Sequence, residues 1–175
     1  MRKVSSLVLC TLFLAGAALA QEPKKPLSPP AKAEATLDGK KIAIDYSAPS
    51  KRDRKIMGEL VPYGKIWRTG ANAATTLKTD VDLMIGSLHV PAGTYTLYTL
   101  PTEKEWTLIV SKQTGLWGTN GYDESKDLGR AKMSVKALPG SVETFNISIK
   151  PAGAKKATLV LAWENTEASV PVAVH

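Results

Sequence analysis

The chain has 175 residues, of which 43% are hydrophobic and 22% charged, close to ordinary globular usage. This composition excludes a fibrous repeat, a protein with several membrane spans and a wholly disordered chain. The sequence has one Cys and two His, the histidines on different predicted elements, so few side chains suit redox, nucleophilic or metal chemistry. We therefore expect no cofactor and no metal site.

The first 20 residues have the three parts of a secretory signal peptide. Arg2 and Lys3 supply the positive end, residues 7–14 form an apolar stretch, and Ala18 and Ala20 place small side chains at the two positions that a signal peptidase reads. The apolar stretch is shorter than the roughly 20 residues of a spanning helix. We therefore predict an exported protein, periplasmic or extracellular, with no membrane span after cleavage.

Residues 21–32 contain four Pro and three Lys, which is typical of an extended Pro/Lys-rich linker. From residue 33 to residue 175, short runs of alternating apolar and polar residues are separated by turn residues. A period of two favours half-buried strands. We therefore predict a single β-rich domain over residues 33–175.

Asp38-Gly39 predicts a type I′ turn, because both central positions of that turn need positive φ, and it would join strands 33–37 and 41–47. The later strands are expected at 81–85, 88–90, 94–100, 105–111, 133–135, 145–149, 157–163 and 170–174, the last at an edge because it contains Pro171. Helical turns are expected at most at Arg54–Leu60 and Asp123–Leu128. About nine to ten short antiparallel strands predict an all-β fold, a β-sandwich or a partly closed barrel.

Three stretches of the sequence resemble one family: Tyr-Ser-Ala-Pro at 46–49, Trp-Arg-Thr-Gly-Ala-Asn at 67–72, and Val-Pro-Ala-Gly-Thr-Tyr at 90–95. With them, nearly the whole mature chain resembles the domain of unknown function 2911, a family of exported bacterial β-rich proteins. The resemblance implies fold and export, and it implies no activity. Similar proteins tend to carry Arg at the place of Ala48 and Glu at the place of Ala73, so this chain lacks any ligand role those side chains serve.

The best candidate site is Arg68, which stands beside Trp67 and is followed by Asn72 and Thr75. An arginine fork binds a carboxylate or sugar hydroxyls, and an indole ring supplies a flat apolar wall next to it. In the alternative interpretation, Arg68 pairs with a buried carboxylate such as Asp127, and Asn72 only shapes a tight turn.

A long loop over residues 114–127 carries Trp117, Tyr122 and Asp123. Long loops between strands often line binding sites, and exposed aromatic rings stack on sugars. The alternative is that these rings fold back over an open end of the core. We include the three residues among the candidate ligand contacts and assign no catalytic residue.

The favoured function is non-catalytic binding of a glycan, another component of the cell envelope or a small anionic molecule. One alternative is a hydrolase with a polar site around Arg68 and Asn72, in which Asp123 or Asp127 acts as acid or base. Another is a purely structural domain. The basic residues are scattered over turns and tails, and no nucleic-acid-binding motif is present, so we expect no nucleic acid partner.

Overall fold

Alternating apolar residues build a single antiparallel sheet in the computed structural model of the protein, which describes residues 26–175. Within this range the strands are β1 Pro30–Leu37, β2 Lys40–Ser47, β3 Thr75–Thr79, β4 Leu83–Ile85, β5 Leu88–Val90, β6 Gly93–Pro101, β7 Glu105–Ser111, β8 Asp127–Pro151 and β9 Lys156–Val174. Their order in the sheet is β1-β2-β3-β6-β7-β8-β9-β4-β5. The all-β antiparallel prediction is confirmed, and the sheet is not closed into a barrel.

The first hairpin has the predicted turn, since Asp38 and Gly39 have φ values of 52° and 72°. Strand β1 begins at Pro30, which pairs with Ser47, and so it includes the last three residues of the predicted linker. The strand starts three residues earlier than predicted. Proline is compatible with this start, because the first residue of a strand does not have to donate an N–H to the sheet. The predicted signal peptide and the linker up to residue 25 lie outside the described residues.

Strands β8 and β9 are longer than the sequence pattern predicts. At Leu138-Pro139-Gly140 the chain does not turn, and the register between the two strands shifts from Ala137 to Val142 instead. Bulges of this kind bend a strand without ending it. The bent hairpin brings Ile149 and Leu159 to the same interior as residues of β2, β3 and β4.

One of the two predicted helical turns is present, as the 3-10 turn Glu124–Lys126. The other prediction, over residues 54–60, is wrong, because that segment forms non-helical turns. Its backbone N–H groups at Ile56 and Met57 donate to the carboxylate of Glu164 at 3.3 and 3.1 Å. This distant carboxylate on β9 anchors the segment to the sheet.

Trp67 lies in a cluster of aromatic rings in the main core. Its ring centroid is 4.9 Å from that of Phe145, 6.1 Å from that of Trp106 and 5.9 Å from that of Trp163, with which it is stacked. Trp106 and Trp163 are buried, as predicted for the apolar faces of regular strands. The cluster joins the segment that precedes β3 to strands β7, β8 and β9.

The opposite face of the sheet has a second, smaller apolar cluster of Ala74, Tyr98 and Ile109. Successive residues of a strand point to opposite faces, so the apolar residues on both faces of β6 and β7 indicate central strands. Tyr122 covers this cluster, with its ring edge-on to Tyr98 at a centroid distance of 5.0 Å. Within residues 26–175, no helix is both long and apolar enough to cross a membrane.

Candidate functional site

A cavity of about 350 Å³ lies beside the loop that follows Trp67. Four parts of the chain line it: residues 27–28 before β1, the turn after β2, the segment from 60 to 72, and Trp163 of β9. Its size is within the roughly 300–1,000 Å³ that is usual for small-molecule sites. Three arginines line the cavity, namely Arg52, Arg54 and Arg68.

Backbone carbonyl groups hold two of these arginines in place. Arg54 donates from Nε to the carbonyl of Lys51 at 3.0 Å and from Nη2 to the carbonyl of Ser50 at 2.8 Å. Arg52 donates from Nη2 to the carbonyl of Leu27. Within the described residues, neither guanidinium pairs with a carboxylate, and the nearby Glu143 carboxylate accepts from the backbone N–H of Arg52 at 2.9 Å.

Arg68 is half-buried, and its Nε is shielded from solvent with no hydrogen-bond partner among residues 26–175. The predicted pairing with Asp127 is not found, because Asp127 bonds to Arg130 at 3.1 Å and accepts from the Tyr122 hydroxyl at 2.8 Å. The loop over residues 114–127 contacts Arg68 at Gly118. A Cβ atom added to Gly118 would lie 3.4 Å from Nη1 of Arg68. Arg68 is therefore held between the loop and the cavity without a counter-ion in the described part of the chain.

The loop after Arg68 has a strained backbone. Thr69 and Asn72 have φ values of 56° and 59°, which is rare for residues other than glycine and clusters at functional sites. At Gly70 a Cβ atom would lie 2.9 Å from the carbonyl oxygen of Ser47, so only glycine fits there. Thr75 is buried and donates to the carbonyl of Thr69 at 2.7 Å, which closes the loop.

The predicted candidates separate into two groups in the structure. Trp67, Arg68 and Asn72 come together at the cavity. The other four lie outside its lining: Thr75, Trp117, Tyr122 and Asp123. Their local roles differ, since Trp117 is 65% exposed, whereas Asp123 accepts from the N–H of Ser125 at 2.9 Å and caps the 3-10 turn.

The hydrolase alternative needs a carboxyl group at Arg68 and Asn72. The described lining of the cavity contains no Asp or Glu. Asp123 caps the 3-10 turn, and Asp127 bonds to Arg130 and Tyr122. The described residues therefore do not place the carboxylates named for that mechanism at this cavity.

The sequence model of a family described as "Protein of unknown function (DUF2911)" matches residues 28–172. The chain belongs to this family. The match includes every cavity residue from Ser28 to Trp163, and it confirms the resemblance seen in the motifs. No curated protein and no solved structure matches the chain.

The sequence pattern does not identify two arginines of the DUF2911 cavity, Arg52 and Arg54, because they belong to the basic residues that it assigns to turns and tails. The use of Arg instead of Lys at these two positions is a sequence signal that could have identified them. The chain has 18 Lys and only five Arg, and three of the five line this one cavity. Arginine is preferred where a planar fork must bind an anion in two places.

The two histidines of the DUF2911 domain also lie together, which the sequence did not predict. The His89 ring is 4.7 Å from that of His175, and its Nε2 is 3.1 Å from Asp82 Oδ2. The N–H of Ala92 and then the His89 ring lower the pKa of Asp82. Among the described residues, no group of three or more His, Cys, Asp or Glu side chains is placed to hold a metal ion.

The ionisation of Tyr122 should make the stability of the DUF2911 domain depend on pH in the alkaline range. Burial, reinforced by the hydrogen bond to Asp127, raises the pKa of Tyr122 to about 12. The corresponding pKa in an unfolded chain is about 10, so the folded state holds this proton more tightly. The stability it contributes is complete below about pH 10 and is lost as the pH rises towards 12.

We expect Tyr122→Phe to reduce the loss of stability between pH 10 and pH 12, because no phenol then ionises at this position. Urea unfolding at a series of pH values measures the effect. Tyr63→Phe, at an exposed position, is the matched control and should behave as the unmodified protein. Equal pH dependence in the unmodified protein and in Tyr122→Phe would contradict the prediction.

Proposed function

We propose that this protein is an exported, non-catalytic domain that binds a small anionic ligand in the arginine cavity. The observation that carries the proposal is the convergence of Arg52, Arg54 and Arg68 on one cavity without a carboxylate partner in the described chain. Export is supported by the signal-peptide pattern of the first 20 residues.

The hydrogen-bonding capacity of the arginines supports an anion as the ligand. Each guanidinium has five N–H donors; Arg54 uses two on carbonyl groups, Arg52 uses one, and the Arg68 side chain forms no hydrogen bond within the described residues. A buried donor without a partner costs about 1–3 kcal/mol. A carboxylate or phosphate group supplies the missing acceptors and offsets the three positive charges.

The lining favours binding over the two alternative functions. The described residues at the cavity include no Asp, Glu, His, Cys or Lys, so the acids and bases most used in catalysis are not among them. A purely structural arginine is normally paired when buried, whereas half-buried Arg68 lines the cavity with no carboxylate partner among residues 26–175. Both observations support a site that becomes complete when an anion binds.

The test is a titration of the protein with sodium phosphate, sodium acetate or an uncharged oligosaccharide at constant ionic strength. Trp67 and Trp163 line the cavity, so tryptophan fluorescence reports occupancy and calorimetry gives the affinity. We expect saturable binding of at least one anion. Arg52→Gln should weaken it about 10- to 100-fold, as expected for loss of hydrogen bonds between charged groups.

Lys150→Gln is the matched control, because it removes the same charge from an exposed position of β8 outside the cavity lining. Its affinity for the anion should equal that of the unmodified protein. An equal loss in Lys150→Gln and Arg52→Gln would show diffuse attraction of anions and refute a site at the cavity. Saturation by none of the anions would refute it as well.

A further inference from the structure

Two large apolar side chains of the cavity are exposed to solvent. Leu27 is 74% exposed and Leu60 is 45% exposed, and both belong to the lining. Only two other large hydrophobic residues are exposed in the described chain, Tyr63 and Trp117. Exposed apolar surface that is grouped in one place and rimmed by polar groups marks a binding site, whereas single exposed residues do not, and Leu27 and Leu60 share one lining.

The depth of the lining residues divides the cavity into two parts. Arg68 is half-buried and its Nε is shielded from solvent, whereas Arg52, Arg54, Leu27 and Leu60 are exposed. Between these levels the cavity is bounded by buried apolar residues, Val61 and Trp163 among them. The rim therefore carries both cationic and apolar side chains, and Arg52 donates there to the carbonyl of Leu27.

The volume supports a ligand larger than a simple anion. At about 30 Å³ per water molecule in the liquid, a cavity of about 350 Å³ has the volume of roughly a dozen waters. Inorganic phosphate or acetate has the size of only a few water molecules. A small anion at Arg68 thus leaves most of the apolar surface beside Leu27 and Leu60 uncovered.

We infer that the ligand is an amphiphile, whose anionic headgroup binds among Arg52, Arg54 and Arg68 and whose apolar chain lies against Leu27 and Leu60. The inference rests on the proposed function and names the ligand class for the same cavity. The shared chemistry is a carboxylate or phosphate head joined to an alkyl chain. The positive charge of the three arginines favours an anionic headgroup, and the exposed leucines favour an apolar chain.

The experiment measures affinity against chain length in two series. One series contains acetate, butyrate, hexanoate and octanoate, and the other contains inorganic phosphate, butyl phosphate and octyl phosphate, all below their micelle concentrations. Each methylene that leaves water contributes about 0.8 kcal/mol, which is about fourfold in affinity. Because the rim remains partly open, we expect about two- to fourfold tighter binding per methylene. Comparison of the two series identifies the preferred head.

Leu60→Ser tests the apolar part without disturbing the core, because Leu60 is exposed. We expect this variant to bind acetate and inorganic phosphate normally and to show a weaker dependence on chain length. Tyr63→Ser, an exposed apolar position outside the cavity lining, is the control and should keep the full dependence. Octylammonium, which has the same chain and the opposite charge, should not bind.

The outcomes separate this inference from the proposed function. Binding of the short anions with no effect of chain length overturns the amphiphile and leaves the anion site in place. An unchanged chain-length dependence in Leu60→Ser also overturns it, since the chain would then contact some other surface. Binding of no anion in either series refutes the proposed function itself.

Discussion

Arg68→Gln is expected to abolish saturable anion binding and to leave the protein folded, with a melting temperature unchanged or slightly raised. An arginine paired with a buried carboxylate would behave differently, because removing one partner of a buried ion pair costs about 3–5 kcal/mol. Arg68 has no such partner within residues 26–175, so its removal leaves no carboxylate stranded there. Calorimetric or circular-dichroism melting curves measure the difference.

The matched control for this prediction is the same substitution at Arg130, which pairs with the nearly buried carboxylate of Asp127 at 3.1 Å. Arg130→Gln should lose about 1–3 kcal/mol, the cost of a buried acceptor without its partner. For a chain of this size that lowers the melting temperature by roughly 2–4 °C for each kcal/mol. Melting of Arg68→Gln at the temperature of Arg130→Gln, or below it, would show that Arg68 is structural.

Phosphate provides a second readout on the same variants. A ligand that binds only the folded state raises the melting temperature, by an amount that increases with its concentration. If phosphate is the anion that saturates the unmodified protein, we expect it to stabilise the unmodified protein and Arg130→Gln, and to have no such effect on Arg68→Gln. Loss of the phosphate effect in Arg130→Gln alone would place the anion elsewhere in the molecule.

Trp67→Ala is expected to lower the free energy of unfolding by about 3–5 kcal/mol, as is typical of a large aromatic residue removed from a core. Trp67 is 9% exposed, packs against three other aromatic rings, and donates from Nε1 to the carbonyl of Gly70 at 3.1 Å. The substitution removes all of these contacts together. Urea unfolding followed by circular dichroism measures the loss.

Trp117→Ala makes the same chemical change at an exposed position and should alter stability by no more than about 0.5 kcal/mol. A similar loss in the two variants would contradict the packing described for Trp67. A loss below about 1 kcal/mol for Trp67→Ala, well short of the usual range, would do the same.

Local signals in the sequence predicted much of the fold. The turn at Asp38-Gly39 and the hairpin of β6 and β7 depend on neighbouring residues and on a period of two, which a single sequence displays. The pairing of β4 with the end of β9 joins Leu83 to Val174, and no local pattern specifies a partner so distant. The continuity of β8 through Pro139 also depends on β9, which holds both sides of the bulge.

The site likewise contains residues that a local motif predicts and residues that only a long-range contact brings in. Trp67, Arg68 and Asn72 come from one continuous motif, so the sequence places them near each other. Arg52 and Arg54 reach the cavity because the turn after β2 is held to β8, where the N–H of Lys51 donates to the carbonyl of Glu143 at 2.7 Å. That contact joins residues about half the chain length apart, and it is the reason the sequence identified only part of the site.

The bond from Arg52 to the carbonyl of Leu27 fastens the stretch just upstream of β1 to the rim of the cavity, and Asn72 adds a bond from Nδ2 to the carbonyl of Ser28 at 3.4 Å. A recombinant version started at residue 33, the boundary that the sequence suggests, would lack both attachment points and the first residues of β1. Purification tags placed immediately ahead of Leu27 would crowd the opening. A recombinant version should therefore begin upstream of Leu27 and carry any tag at the opposite terminus.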